Sequence, residues 1–361
     1  MSWPSWLPLR ENLRPLSPYG APQVPAQASL NTNENPYSPS PALQKAITDA
    51  VAKVASDLNR YPDRDATVLR TKLADYINEL SGTKISADNV WAANGSNEII
   101  QSIFLAFAQG SVLGFTPSYS MHPLIAKVSG AQWIDGKRNA DFSLDTSSAI
   151  VEIEKHKPTL TFITTPNNPT GGAVTIDEIQ KLADACKAVG GLLVVDEAYA
   201  EFSQEKSAVT LIANNPHVLV IRTMSKAFAF AGARVGYLVS DVAVKDAMMI
   251  VRLPYHLSAL TQASAQVAID HRAELLGGVA TIIAARESVV LALHDMGLTT
   301  ITSSANFVLF SGFKQEAPQL WAALLEKGVL IRDVGLSGYL RVTIGNEAEN
   351  TLFVSALKEL I

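Results

Sequence analysis

Thr223-Met224-Ser225-Lys226 is followed, eight residues after the lysine, by Arg234 within Gly232-Ala233-Arg234-Val235-Gly236. Hydroxyls and an arginine together make a phosphate-binding set: the hydroxyls donate directionally, and the guanidinium offers a charged planar fork. A lysine beside such a set can form an imine with an aldehyde. That requires some neutral amine, and so a pKa depressed by burial or by neighbouring cations. A Ser-Lys pair alone reads as the start of a surface helix; the full spacing is what points to chemistry.

Leu192-Leu193-Val194-Val195-Asp196-Glu197-Ala198-Tyr199 carries an acid to the end of an apolar strand. A carboxylate there is costly unless it meets a positive partner. A pyridinium nitrogen is one such partner, and holding it protonated makes an electron sink; Tyr199 is then placed to hydrogen-bond a phenolic oxygen on the same ring. A strand-terminal Asp-Glu can equally hold Mg²⁺ or cap a helix, although no Gly-x-x-x-x-Gly-Lys-Ser/Thr loop supports a nucleotide site. Thr164-Thr165-Pro166-Asn167-Asn168-Pro169-Thr170-Gly171 reads either as an ordinary tight turn or as a strand end delivering Asn168 to the same place. Asn94-Gly95-Ser96-Asn97-Glu98 joins a strand to a helix, where free N–H groups can hold a phosphate or simply be capped.

The elements that must position these residues follow from the apolar pattern. Short strands at Val90–Ala93, Ser111–Phe115, Thr159–Thr165, Leu192–Asp196, Val218–Thr223 and Val235–Val239 alternate with helical stretches at Asn97–Ala108, Tyr119–Val128 and Ile176–Val189. This predicts an α/β domain with a mostly parallel sheet covered on both faces. Ligands bind such sheets beyond the carboxyl ends of the strands, where the motifs lie. Eight prolines before residue 40 predict an extended arm. Helices follow at Pro41–Ala55 and Asp65–Leu80, the second capped by Asp65. Beyond a long helical region, Leu257–Met296, come Asn306–Phe310, a helix at Pro318–Lys327, Val329–Ile331 and Leu340–Ile344, the order of a smaller α+β domain. The expected division is an arm at 1–40 that joins the small domain, a large domain at 41–250 and a small domain at 251–361.

The 361 residues carry a net charge of −5, which disfavours a nucleic-acid partner and suits small molecules. Cys186 is the only cysteine, so a reducing cytoplasm is the expected setting. Met1–Pro18 lacks the pattern of a signal peptide, and no uncharged apolar run approaches the ~20 residues of a membrane helix. His122 and His256 are assigned no role, and His156, His217, His271 and His294 lack ligand spacing, so no metal site is expected.

The four motifs, in this order, resemble the fold-type I aminotransferases that use pyridoxal 5'-phosphate (PLP), from about Leu30 to the C-terminus. Within them the chain is similar to the histidinol-phosphate aminotransferase family. That likeness rests on Asn31-Thr32-Asn33-Glu34-Asn35-Pro36-Tyr37, Asn59-Arg60-Tyr61-Pro62, Pro166–Gly171 and Arg222-Thr223-Met224-Ser225-Lys226-Ala227-Phe228. Ala233 stands where leucine is commoner.

The resemblance implies a mostly parallel seven-stranded sheet between helices, plus the smaller domain. It implies that Lys226 carries the cofactor covalently and shuttles a proton, that Asp196 pairs with the ring nitrogen, and that Tyr199 and Asn168 bind the phenolic oxygen. Tyr119 would stack on the ring. Ser96, Asn97, Thr223, Ser225 and Arg234 would cradle the phosphate. Tyr61 would reach the cofactor phosphate of the partner subunit, implying a homodimer. Arg332 and Arg341 would bind the anionic groups of the two substrates, with Tyr19 lining the substrate site; a surface salt bridge from Arg332 to Asp333 is the alternative for that arginine. The implied reaction exchanges an amino group between L-glutamate and imidazole-acetol phosphate. Rival expectations are an aromatic or broad-range aminotransferase, a PLP-dependent decarboxylase of a phosphorylated amino acid, and a non-catalytic PLP-binding module of a transcription regulator.

Overall fold

A computed structural model describes residues 3–18 and 20–361. Among the described residues, the arm carries no helix or strand before β1 (Ala28–Ser29) other than one short turn of helix at Glu11–Leu13. Then come α1 (Pro41–Ala55) and α2 (Thr67–Ser81). Asp65 is not the cap of α2: the Asp63 carboxylate accepts from the backbone N–H of Thr67 at 2.8 Å. Asp65 instead pairs with Arg64 and Arg252.

The strands of the large sheet are β2 (Val90–Ala93), β3 (Ser111–Thr116), β4 (Gln132–Lys137), β5 (Leu160–Thr164), β6 (Leu192–Asp196), β7 (Val218–Thr223) and β8 (Gly236–Val239). They lie in the order β2-β8-β7-β6-β5-β3-β4, with only β8 antiparallel to its neighbours. Between them run α3 (Ser96–Phe107), α4 (Met121–Ser129), α5 (Thr146–His156) and α6 (Ile176–Ala188), with α7 (Val242–Val251) after β8. The central strands are apolar on both faces because both faces are covered. Val194 packs into one core with Ile103 of α3, Ile125 of α4 and Met248 of α7. Its neighbours Leu193 and Val195 point the other way, into a core with Leu73 of α2, Leu182 of α6 and Ile269.

The expected long helix is two, α8 (Ala259–Asp270) and α9 (Arg272–Asp295), broken at His271. The last elements are β9 (Thr299–Thr300), β10 (Phe307–Ser311), α10 (Ala317–Glu326), β11 (Val329–Leu330), β12 (Tyr339–Thr343) and α11 (Glu347–Leu360). Strands β9, β10 and β12 form an antiparallel sheet, whereas β1 runs parallel to β11. The arm is therefore stitched to the C-terminal layer, and Leu30, Val279, Phe307, Leu324 and Phe353 share a third core. Helix α9 is long and apolar enough to cross a membrane by composition. Its buried stripe, Val279, Ile282, Arg286 and Val289, faces this core, and Arg286 donates to the Ala305 carbonyl at 2.9 Å.

Candidate active site

Each described residue singled out above for cofactor or substrate, Tyr61 apart, lines one cavity of about 450 Å³ at the carboxyl ends of β5, β6 and β7. Lys226 sits just beyond β7, and its Nζ donates to the Thr32 carbonyl at 2.8 Å. Burial, with the positive charges of Arg341 and Arg234, outweighs the pull of Glu34 and pushes its pKa down to about 8. The neutral amine that imine chemistry needs is thereby accessible near neutrality. Thr223 Oγ1 donates to Ser225 Oγ at 2.9 Å and accepts the Ser225 N–H at 3.1 Å, so the two hydroxyls form one fixed unit.

Arg234 adopts a left-handed backbone conformation (φ +56°) and packs against the start of α3. A Cβ on Gly95 would stand 2.6 Å from Arg234 Nη2, and one on Gly236 would meet Gly95 C and Ser96 N at 2.5 Å. Glycine at both positions is what lets guanidinium and helix N-terminus converge, a cradle suited to an anion.

On the other side, Asp196 is 2% exposed. Its Oδ1 accepts the Ala198 N–H at 3.2 Å, and its Oδ2 lies 3.1 Å from His122 Nε2. An ionised carboxylate only accepts, so Nε2 is the protonated nitrogen of that ring. His122, given no role from sequence, thus belongs to the site. It is also clasped by aromatic rings, edge-on to Tyr119 and tilted on Phe162. The Tyr119 hydroxyl donates to Asn97 Oδ1 at 3.2 Å. Tyr199 receives Nδ2 of Asn168 at 3.3 Å and Nδ2 of Asn33 at 2.8 Å on its hydroxyl.

Arg341 Nη1 donates to Asn168 Oδ1 and Nη2 to the Asn31 carbonyl at 2.8 Å, with the guanidinium carbon 5.0 Å above the Phe307 ring. Arg332 bridges to Arg341 through backbone hydrogen bonds of 3.0 and 2.9 Å. No ion pair joins Arg332 to Asp333 among the described residues; that carboxylate accepts the Gly335 N–H at 2.8 Å. Three successive residues of the arm segment each hold a different group of the site: Asn31 holds Arg341, Thr32 holds Lys226 and Asn33 holds Tyr199. Their motif was visible in the sequence, but their contacts run more than 160 positions along the chain. Tyr61 lies outside this cavity, 79% exposed, stacked on Tyr255 with ring centroids 4.4 Å apart. Tyr19 falls outside the described residues.

The profile of the family described as aminotransferase class I and II matches residues 25–357. The chain belongs to that aminotransferase family. Among curated aminotransferases, the histidinol-phosphate aminotransferase of Mycolicibacterium vanbaalenii is 53% identical over 354 residues, covering 97% of this chain and 95% of that protein. Among solved structures, histidinol-phosphate aminotransferase from Sinorhizobium meliloti in complex with pyridoxal-5'-phosphate superposes with a TM-score of 0.84 at 23% identity, covering 98% of this chain and 97% of that one. The L-threonine-O-3-phosphate decarboxylase of Porphyromonas gingivalis superposes with a TM-score of 0.77 at 22% identity, covering 92% and 99%. Both likenesses establish fold type I; a decarboxylase on the same frame shows that the frame alone does not choose the reaction.

Proposed function

We propose that this aminotransferase uses PLP to exchange an amino group between L-glutamate and imidazole-acetol phosphate, giving L-histidinol phosphate and 2-oxoglutarate in histidine biosynthesis. The observation that carries the reading is the convergence of Lys226, Asp196, Arg234 and the Arg332–Arg341 pair on one cavity, in a chain 53% identical to a histidinol-phosphate aminotransferase. The donor set fits the cofactor: a readily deprotonated amine, a buried carboxylate and a glycine-made anion cradle line one cavity.

When bound, PLP supplies an aldehyde for amine exchange and a ring that draws electron density from the substrate carbon. Lys226 Nζ would hold it covalently and is the group placed to move a proton at the substrate carbon. Asp196, oriented by His122, would hold the proton on the ring nitrogen. Tyr199 and Asn168 would bind the phenolic oxygen, and Tyr119 would cover the ring face. Thr223, Ser225, Arg234 and the backbone N–H groups of Ser96 and Asn97 would hold the phosphate. Arg341 and Arg332 serve the carboxylate and phosphate of substrates that take turns in one site.

Tyr61 serves the neighbouring subunit of a homodimer. In support, it is 79% exposed and stacked on Tyr255, and Leu58, Ile250 and Leu253, close to these two in the chain, are also exposed large apolar side chains. A cytoplasmic setting accords with a single, buried cysteine. Glutamate-dependent turnover should be fastest with imidazole-acetol phosphate in a panel of keto acceptors that includes phenylpyruvate; faster turnover of phenylpyruvate, or carbon dioxide release when phosphothreonine is supplied instead, would overturn the reading.

A further inference from the structure

Arg222 and Glu197 do not line the cavity, yet each adjoins a residue that does. Arg222 precedes Thr223, and Glu197 follows Asp196. Arg222 is 1% exposed. Its Nη1 donates to Glu197 Oε2 at 2.8 Å and its Nη2 to Glu201 Oε1 at 3.1 Å. Glu197 also accepts from the Ser207 hydroxyl at 2.7 Å and the Ala208 N–H at 2.6 Å. Glu201 accepts the Tyr76 hydroxyl at 3.1 Å, and the Tyr76 ring meets Phe228 edge-on at 5.3 Å, just past Lys226.

A trio of charges with its side chains at most 5% exposed is a poor device for stability, because desolvation offsets most of its attraction. It is a good device for geometry. The ladder between β6 and β7 ends where Asp196 pairs with Ile221 and the Glu197 N–H reaches the Ile221 carbonyl at 2.9 Å. Beyond that point, among the described residues, no backbone hydrogen bond couples the end of β6 to the Thr223–Lys226 turn, and the rigid guanidinium fork takes over.

We infer that Arg222 is a positioning residue whose fork to Glu197 and Glu201 fixes the span between Asp196 and the Thr223–Ser225 hydroxyls, so that one cofactor is met at its ring nitrogen and its phosphate together. The inference rests on the cofactor reading above and assigns a group that reading does not use.

A ligand that spans both ends should feel the loss of the fork, while one that occupies a single end should not. The purified enzyme is stripped of PLP and titrated separately with PLP and with inorganic phosphate, beside its thermal melting curve. Two variants are compared: the charge-free Arg222→Met/Glu197→Gln/Glu201→Gln, and Arg222→Lys, which keeps the charge balance without the fork. In each, the PLP dissociation constant should rise by about tenfold or more, while that for phosphate stays within about twofold of the parent. Equal weakening of both ligands, or unchanged PLP affinity alongside a lowered melting temperature, would show a merely structural role. Asp196→Asn is run in parallel: if it leaves PLP affinity and the visible spectrum of the holoenzyme untouched, the cofactor reading itself falls. If Asp196→Asn weakens PLP but the Arg222 variants do not, only the inference falls.

Discussion

His122 Nε2 lies 3.1 Å from Asp196 Oδ2, with both side chains almost wholly buried. A hydrogen bond to a buried carboxylate contributes about 1.5–3 kcal/mol when one partner is charged. Replacing His122 with Phe keeps the aromatic packing and removes the donor. The expected result is a fall in kcat of about tenfold to a hundredfold with little change in KM for glutamate. Steady-state kinetics check this, and an unchanged kcat would mean that Ala198 alone orients the carboxylate.

The pKa of about 8 at Lys226 makes cofactor capture pH-dependent. Below that value the amine is mainly ammonium and cannot attack an aldehyde; above it the neutral form dominates. The second-order rate of PLP capture by the stripped enzyme should therefore rise about tenfold per pH unit up to pH 7 and level off above about 8.5. Stopped-flow absorbance over pH 5.5 to 9.5 measures it. A rate still climbing at the upper end would place the amine near its ordinary range.

Gly95→Ala should damage the cradle specifically. The added Cβ would meet Arg234 Nη2 at 2.6 Å, on a backbone of φ +83° that disfavours side chains. The backbone strain costs about 1–3 kcal/mol. Displacement of the guanidinium should weaken inorganic phosphate as well as PLP, unlike the Arg222 variants, and paired titrations distinguish the two.

Burial pushes the Cys186 thiol up to about 11. It should resist thiol reagents at pH 8 until the protein unfolds, and a reagent uptake rate should track global unfolding in urea.

In the proposed homodimer, Lys226→Ala and Tyr61→Ala are complementary defects. Equal mixing through reversible dissociation makes about half the dimers hybrid, each with one intact site, so activity should return to about a quarter of the parent. Mixtures that stay as inactive as their components would place Tyr61 outside any shared site.

The alternation of strands and helices was legible because β5, β6 and β7 are buried on both faces and are mostly apolar along their length. Strand β4 was not: it is an edge strand whose Gln132, Asp135 and Lys137 face solvent. The break at His271 carries no glycine or proline to announce it. The part of the cavity lining that lies at strand ends was legible from the motifs there, whereas Tyr119, Arg332 and Arg341 came in only through the family resemblance. His122 was not legible, since its role comes from α4 packing it against β6, and nothing beside it in the chain records that. Asp63 rather than Asp65 accepts the first N–H of α2, across a left-handed Ala66, and Asp65 pairs with Arg64 and Arg252.

The two-residue strand β1 leads directly into Asn31, Thr32 and Asn33, which hold Arg341, Lys226 and Tyr199. A protease cut among the prolines before residue 27 leaves that clasp intact; a cut within it releases the lysine, the arginine and the tyrosine at one stroke. Cleavage susceptibility of this stretch therefore becomes a gauge of occupancy: whatever fills the cavity should shield a peptide bond that belongs, in the chain, to the arm.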